Sequence, residues 1–212
     1  MLAFYQRYGF KAWRKELEAE LAAGNSSVAA TSPGLFDAEG TGAAPAVPDN
    51  SQLLRRYETV LEMAQLEAWI TRLRAAPLAA LDTETDSLDA MRARIVGISV
   101  AVQPGEAAYV PLAHDYAGAP DQLPADTVLA MLQPWLEDAT AAKVGQNIKY
   151  DTHVLANHGI AVRGWQHDTM LESYVFEAHL PHSLEKLAER HLGRKGLSYE
   201  DLCGKGVNQI PF

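Results

Sequence analysis

Residues 77–88 read Pro77-Leu78-Ala79-Ala80-Leu81-Asp82-Thr83-Glu84-Thr85-Asp86-Ser87-Leu88, an apolar run that ends in alternating hydroxyls and acids. In an extended segment, side chains two apart share a face, so Asp82 and Glu84 project together. Two carboxylates side by side at the end of an apolar strand repel, and each raises the other's pKa unless a cation lies between them. Hard oxygen donors in this arrangement suit Mg2+ or Mn2+. The same acids could equally be a solvated strand end, so the stretch needs a second element to give it meaning.

That element is Lys143-Val144-Gly145-Gln146-Asn147-Ile148-Lys149-Tyr150-Asp151, which reads as a strand (Ala142–Gly145) turning into a helix (Gln146–His158) stopped by Gly159. Asn147 and Asp151 are four apart and share a helical face with Leu155. A carboxylate on a face that also carries an apolar residue needs a partner. A metal shared with the strand acids would supply one; an exposed acid at a helix start is the plainer alternative.

Outward from these two segments the pattern is globular from about Gln52. Short strands are expected over Arg56–Leu61, Ile95–Val102 and Ala107–Leu112, the last two joined by the turn Gln103-Pro104-Gly105-Glu106. Helices are expected over Ala64–Ala75, with Leu66, Trp69, Ile70 and Leu73 on one face, and over Ala125–Glu137, perturbed at Pro134. Thr169 with Glu172 forms a capping-box pattern opening a helix to about Ala178, and Ser183–Leu192 is another, ended by Gly193. Ser198 with Asp201 starts a last short turn. Antiparallel strands followed by alternating helix and strand predict an α/β domain with a mixed sheet flanked by helices.

Residues 1–23 carry early aromatics (Phe4, Tyr5, Tyr8, Phe10, Trp13) and then an isolated helical stripe, Trp13, Leu17 and Leu21. Residues 24–51 read as a flexible linker: 18 of the 27 positions from 24 to 50 are Gly, Ala, Ser, Thr or Pro. The expected division is therefore 1–23, 24–51 and a domain over 52–212. The chain has 212 residues, a net charge of −9 and one cysteine. This excludes a disulfide scaffold and a protein that grips nucleic acid by bulk positive charge. No apolar run approaches the ~20 residues of a membrane span and no signal peptide is evident, so no membrane partner and a cytoplasmic location are expected.

Three blocks occur in order: Asp82-Thr83-Glu84-Thr85-Asp86-Ser87-Leu88, Gly145-Gln146-Asn147-Ile148-Lys149-Tyr150-Asp151, and Asp168-Thr169-Met170-Leu171-Glu172-Ser173-Tyr174. Together with Tyr109-Val110-Pro111-Leu112-Ala113-His114-Asp115-Tyr116 and Gly204-Lys205-Gly206-Val207-Asn208-Gln209, they closely resemble the 3′–5′ proofreading exonuclease domain of bacterial family A DNA polymerases. The resemblance covers roughly 53–212, and residues 5–18 resemble the last helix of the separate 5′-nuclease domain. It implies a ribonuclease H-like fold and hydrolysis of single-stranded DNA from its 3′ end by two divalent metals, Mg2+ or Mn2+. By position, Asp82 would bridge both metals, Glu84 would bind the one holding the attacking water, and Asp151 would support the second largely through water. Thr85, Leu88 and Asn147 match positions that hold the terminal nucleotides, Leu88 by apolar contact and Asn147 by polar contact.

The family pattern continues with a Y-x-x-x-D motif carrying a fourth acid, and the sequence to Phe212 contains none. The expectation is thus a fragment without its polymerase and 5′-nuclease partners, impaired in catalysis. The alternatives are a non-catalytic spacer module of such a polymerase and an RNA-trimming exonuclease of the same superfamily. The remaining conspicuous residues read as structural: His179 and His182 flank Pro181, Cys203 has no base beside it in sequence, Asp168 caps a helix, Lys149 lies on a solvated face, and Trp69, Trp135 and Trp165 belong to the core.

Overall fold

A computed structural model describes residues 55–196, 201 and 203–206. The helix expected over 1–23, the linker over 24–51 and most of the turn after Ser198 lie outside the described residues. The elements are β1 (Arg56–Thr59), α1 (Met63–Ala75), β2 (Ala79–Thr85), β3 (Ile95–Gln103), β4 (Glu106–Pro111), α2 (Ala125–Leu136), β5 (Lys143–Gly145), α3 (Ile148–Asn157), β6 (Trp165–Asp168), α4 (Thr169–Glu177) and α5 (Leu184–Leu192). They form a six-stranded sheet in the order β1-β4-β3-β2-β5-β6. β3 is antiparallel to both its neighbours, and every other pairing is parallel. The C-terminal ends of β2, β4, β5 and β6 therefore share one rim of the sheet.

The two faces differ. Leu81, Thr83, Ile98, Val100, Ala108 and Val110 point to one side and are buried with the apolar faces of α1 (Leu66, Trp69, Leu73), α2 (Val128, Leu132, Trp135, Leu136) and α3 (Val154, Leu155). Each fully buried large side chain of this kind contributes roughly 1.5–3 kcal/mol, and the cluster is the stabilising core. The opposite face carries Ala80, Asp82, Ser99, Ala101 and Ala107, which line a shallow hollow of about 240 Å³. α4 and α5 flank that hollow through Thr169 and Leu184. α5 has no buried residue, and Val175 and Phe176 of α4 are exposed.

Four local differences from the sequence expectations have physical causes. β2 extends past its apolar run to Thr85, because its polar end pairs with β3 through Asp82, Thr83 and Glu84. α3 starts at Ile148 rather than Gln146, since Asn147 adopts a left-handed conformation, φ 59°. α4 is capped by Asp168, as its place before the helix suggested, its side chain accepting from Met170 and Leu171 N–H; the Thr169–Glu172 capping box is not the cap, because Thr169 is already the first helical residue. β6 has no counterpart among the expected strands, for Trp165-Gln166-His167-Asp168 shows no apolar alternation and only half-buries its tryptophan.

Candidate active site

The site is assembled on the rim where β2, β5 and β6 end. Alternation along β2 buries Leu81 and Thr83 and leaves Asp82 and Glu84 on the open face. Between them, Thr83 reaches through to α3. Its N–H and its Oγ1–H both donate to Asp151 Oδ1, at 2.9 and 2.7 Å. Asp151 is 2% exposed, so this paired bond is what makes its burial tolerable. The three acids are close enough to act on one another. Burial pushes Glu84 up to about 6, helped by the charges of Asp82 and then Asp151. Burial likewise pushes Asp151 up to about 6, with Thr83 working against it and Asp82 with it. Asp82 is open to solvent by area yet stands in the hollow beside Leu81, Ser99 and Gln146, and its carboxyl is also raised by desolvation.

Asp168 organises the approach of α3. Its Oδ1 accepts from Asn147, Met170 and Leu171 N–H and its Oδ2 from Ile148 N–H, all between 3.0 and 3.2 Å. One carboxylate thus serves the starts of both α3 and α4. By fixing Asn147 in its left-handed turn it sets where α3 begins, and hence where Asp151 lies.

The other sequence-derived candidates surround this centre. Thr85 Oγ1 donates to Ser87 O at 3.1 Å and meets the Tyr150 hydroxyl, which also donates to Ser87 O. Leu88 projects into solvent, 99% exposed. The loop displaying it is tied down: Asp86 Oδ1 accepts from Arg94 N–H at 2.8 Å, Asp89 Oδ1 from Met91 N–H at 3.1 Å, and Asn157 Nδ2 donates to Ala90 O and Ala93 O. Asn147 stands at the rim as the residue before α3 rather than on its face. Among the described residues, no group of three or more His, Cys, Asp and Glu side chains is gathered tightly enough to hold an ion together. What the rim offers instead is two neighbouring hard-oxygen donors, Asp82 and Glu84, with a third acid one hydrogen-bonded residue away. The chemistry of that set fits a divalent cation at the pair, with Asp151 acting from behind.

Sequence reasoning overlooked Thr83, since a threonine in a strand has many innocuous uses and its partner lies 68 positions away. It also missed Tyr150, and for Asp168 it found the α4 cap but not the bonds to Asn147 and Ile148 at the start of α3. For Asp168, the signal present in the sequence was an acid directly before a helix start.

A family model described as 3′–5′ exonuclease matches residues 57–212. DNA polymerase I of Pseudomonas aeruginosa is 42% identical over 215 residues, covering 100% of this chain and 22% of that protein. DNA polymerase I of Rhizobium leguminosarum is 40% identical over 174 residues, covering 74% of this chain and 17% of that protein. The chain thus spans about a fifth of the length of these curated relatives. In fold, the catalytic core of RRP6 from Trypanosoma brucei is similar with a TM-score of 0.55, at 14% identity over 69% of this chain and 37% of that one. Fold, ordered acid blocks and relatives agree, and the chain belongs to the 3′–5′ exonuclease domain family of DNA polymerase I, on a ribonuclease H-like sheet.

Proposed function

We propose that this domain removes nucleotides from the single-stranded 3′ end of DNA with the help of Mg2+ or Mn2+, as the proofreading module of a DNA polymerase I. The observation that carries the reading is the pair Asp82 and Glu84 on the open face with Asp151 behind it, where burial and then repulsion leave an electrostatic need for a cation. Bound divalent ions acidify water and offset charge on the attacking and leaving oxygens of a phosphodiester. Within that chemistry Asp82 and Glu84 would hold the ions from the open sheet face. Asp151, anchored by Thr83, would add its charge to the site from behind the pair. Leu88 gives a terminal base an apolar contact that is indifferent to its identity, and Thr85 and Asn147 give polar contacts at the strand's end. Residues 1–23 correspond to the end of a 5′-nuclease domain and 24–51 to the segment joining it to the exonuclease domain over 52–212, and the parent protein works in the cytoplasm.

Calorimetric titration with Mn2+ tests the metal claim: the chain binds weakly, and Asp82→Ala removes the binding heat. Equal heats for the two proteins would overturn it. The activity claim is tested on a parent chain that continues through the Y-x-x-x-D motif, which releases mononucleotides from single-stranded DNA with Mg2+. If it released none, a non-catalytic spacer module would be the better reading.

A further inference from the structure

The open face holds another polar group beside Glu84 that the proposed mechanism does not use. In the β2–β3 register Glu84 lies across from Gly97, and in the β3–β4 register Tyr109 lies across from Ser99. The Tyr109 ring leans over Gly97: a Cβ built there would fall 2.0 Å from Tyr109 Oη and 2.3 Å from Cζ. The phenol therefore fills the space that a side chain at 97 would occupy beside Glu84. Any residue but glycine would displace it.

Tyr109 is also backed. Its Oη is 2.6 Å from His114 Nε2. His114 is in turn clamped by Gln122, whose Oε1 accepts from the His114 N–H at 2.9 Å and whose Nε2 donates to its carbonyl at 2.7 Å. The imidazole sits between the rings of Tyr109 and Tyr116, with centroids 5.8 and 5.6 Å away. A phenol keeps its proton at neutral pH, so Tyr109 can stand as a donor.

We propose that Tyr109, oriented by His114, is a positioning residue that fixes the Glu84 carboxylate and, through it, the divalent ion at the rim. This deepens the nuclease reading and rests on it. The direction of the hydrogen bond matters. When His114 donates Nε2–H to Tyr109 Oη, the phenolic proton is left to be given toward Glu84. A carboxylate held by such a donor presents its remaining lone pairs in a set direction, which is how outer partners tune metal ligands. The competing role is simple filling of the hollow over Gly97, which needs the ring and not its hydroxyl.

Mn2+ titration of the full 212-residue chain separates the two. Tyr109→Phe keeps the ring and removes the hydroxyl; it is expected to weaken Mn2+ binding roughly 10-fold, with an unchanged thermal unfolding midpoint. His114→Ala is expected to weaken it similarly, and His114→Gln, which restores an N–H donor, to recover most of the loss. Mn2+ affinity in Tyr109→Phe equal to wild type would make Tyr109 a filler and overturn the inference while leaving the nuclease reading intact. Should Tyr109→Phe fail to fold, equal affinity in His114→Ala and His114→Gln would overturn it instead. Failure of the wild type itself to bind Mn2+ would sink the nuclease reading, and this inference with it.

Discussion

At the scale of single residues, the site depends on side chains that touch no substrate. Asp168, 8% exposed, accepts four backbone N–H groups from two helix starts. Asp168→Ala loses a helix cap, about 0.5–2 kcal/mol. It also strands the Asn147 and Ile148 amides, about 1–3 kcal/mol more. A destabilisation of roughly 2–4 kcal/mol in urea unfolding is expected, with Asp168→Asn closer to wild type. A loss under ~0.5 kcal/mol would show that Asp168 does not organise the rim. The strand acids were legible because strand alternation is a local rule. Thr83 and Tyr150 were not, because their roles come from partners more than 60 residues away.

At the scale of elements, β2 and α3 bring like charges together, and folding carries the strain. Glu84 and Asp151 are both raised to about 6 by burial first and repulsion second. Between their ordinary values and about 6, the folded chain holds protons that the unfolded chain has released. Their contribution to stability is therefore full below the ordinary carboxylate range and is lost as pH rises through about 6. His114 and His158, lowered by burial, run the opposite way, so the effect is read by comparison with Glu84→Gln. Relative to that variant, the wild-type unfolding midpoint is expected to fall by a few degrees from about pH 5 to about pH 7, and Mn2+ at pH 7 to restore it. A pH-independent difference would mean that folding does not raise Glu84. β3 and β4 were legible from their apolar runs and the Pro104-Gly105 turn. β6 was not, since what makes Trp165–Asp168 a strand is its pairing with β5 and not its own pattern.

At the scale of the whole molecule, one sheet face is helix-covered and the other bears the site, within a chain of net charge −9. Such a chain cannot gather a polyanion by counterion release from many basic contacts, which steepens salt dependence by about 0.7 per phosphate for single strands. Binding of a labelled single-stranded oligonucleotide with Mg2+ present is expected to show a log–log salt slope of magnitude below ~2, measured by fluorescence anisotropy. A much steeper slope would assign the grip to Lys and Arg. The rim has a related peculiarity. In many α/β proteins a phosphate is greeted by the free amides at a helix start. Here the amides opening α3 and α4 already face a resident anion, Asp168. That avenue of phosphate capture is closed from within, so a nucleic acid arriving at this rim meets side chains and whatever cations they have recruited, and not the helices' own dipoles.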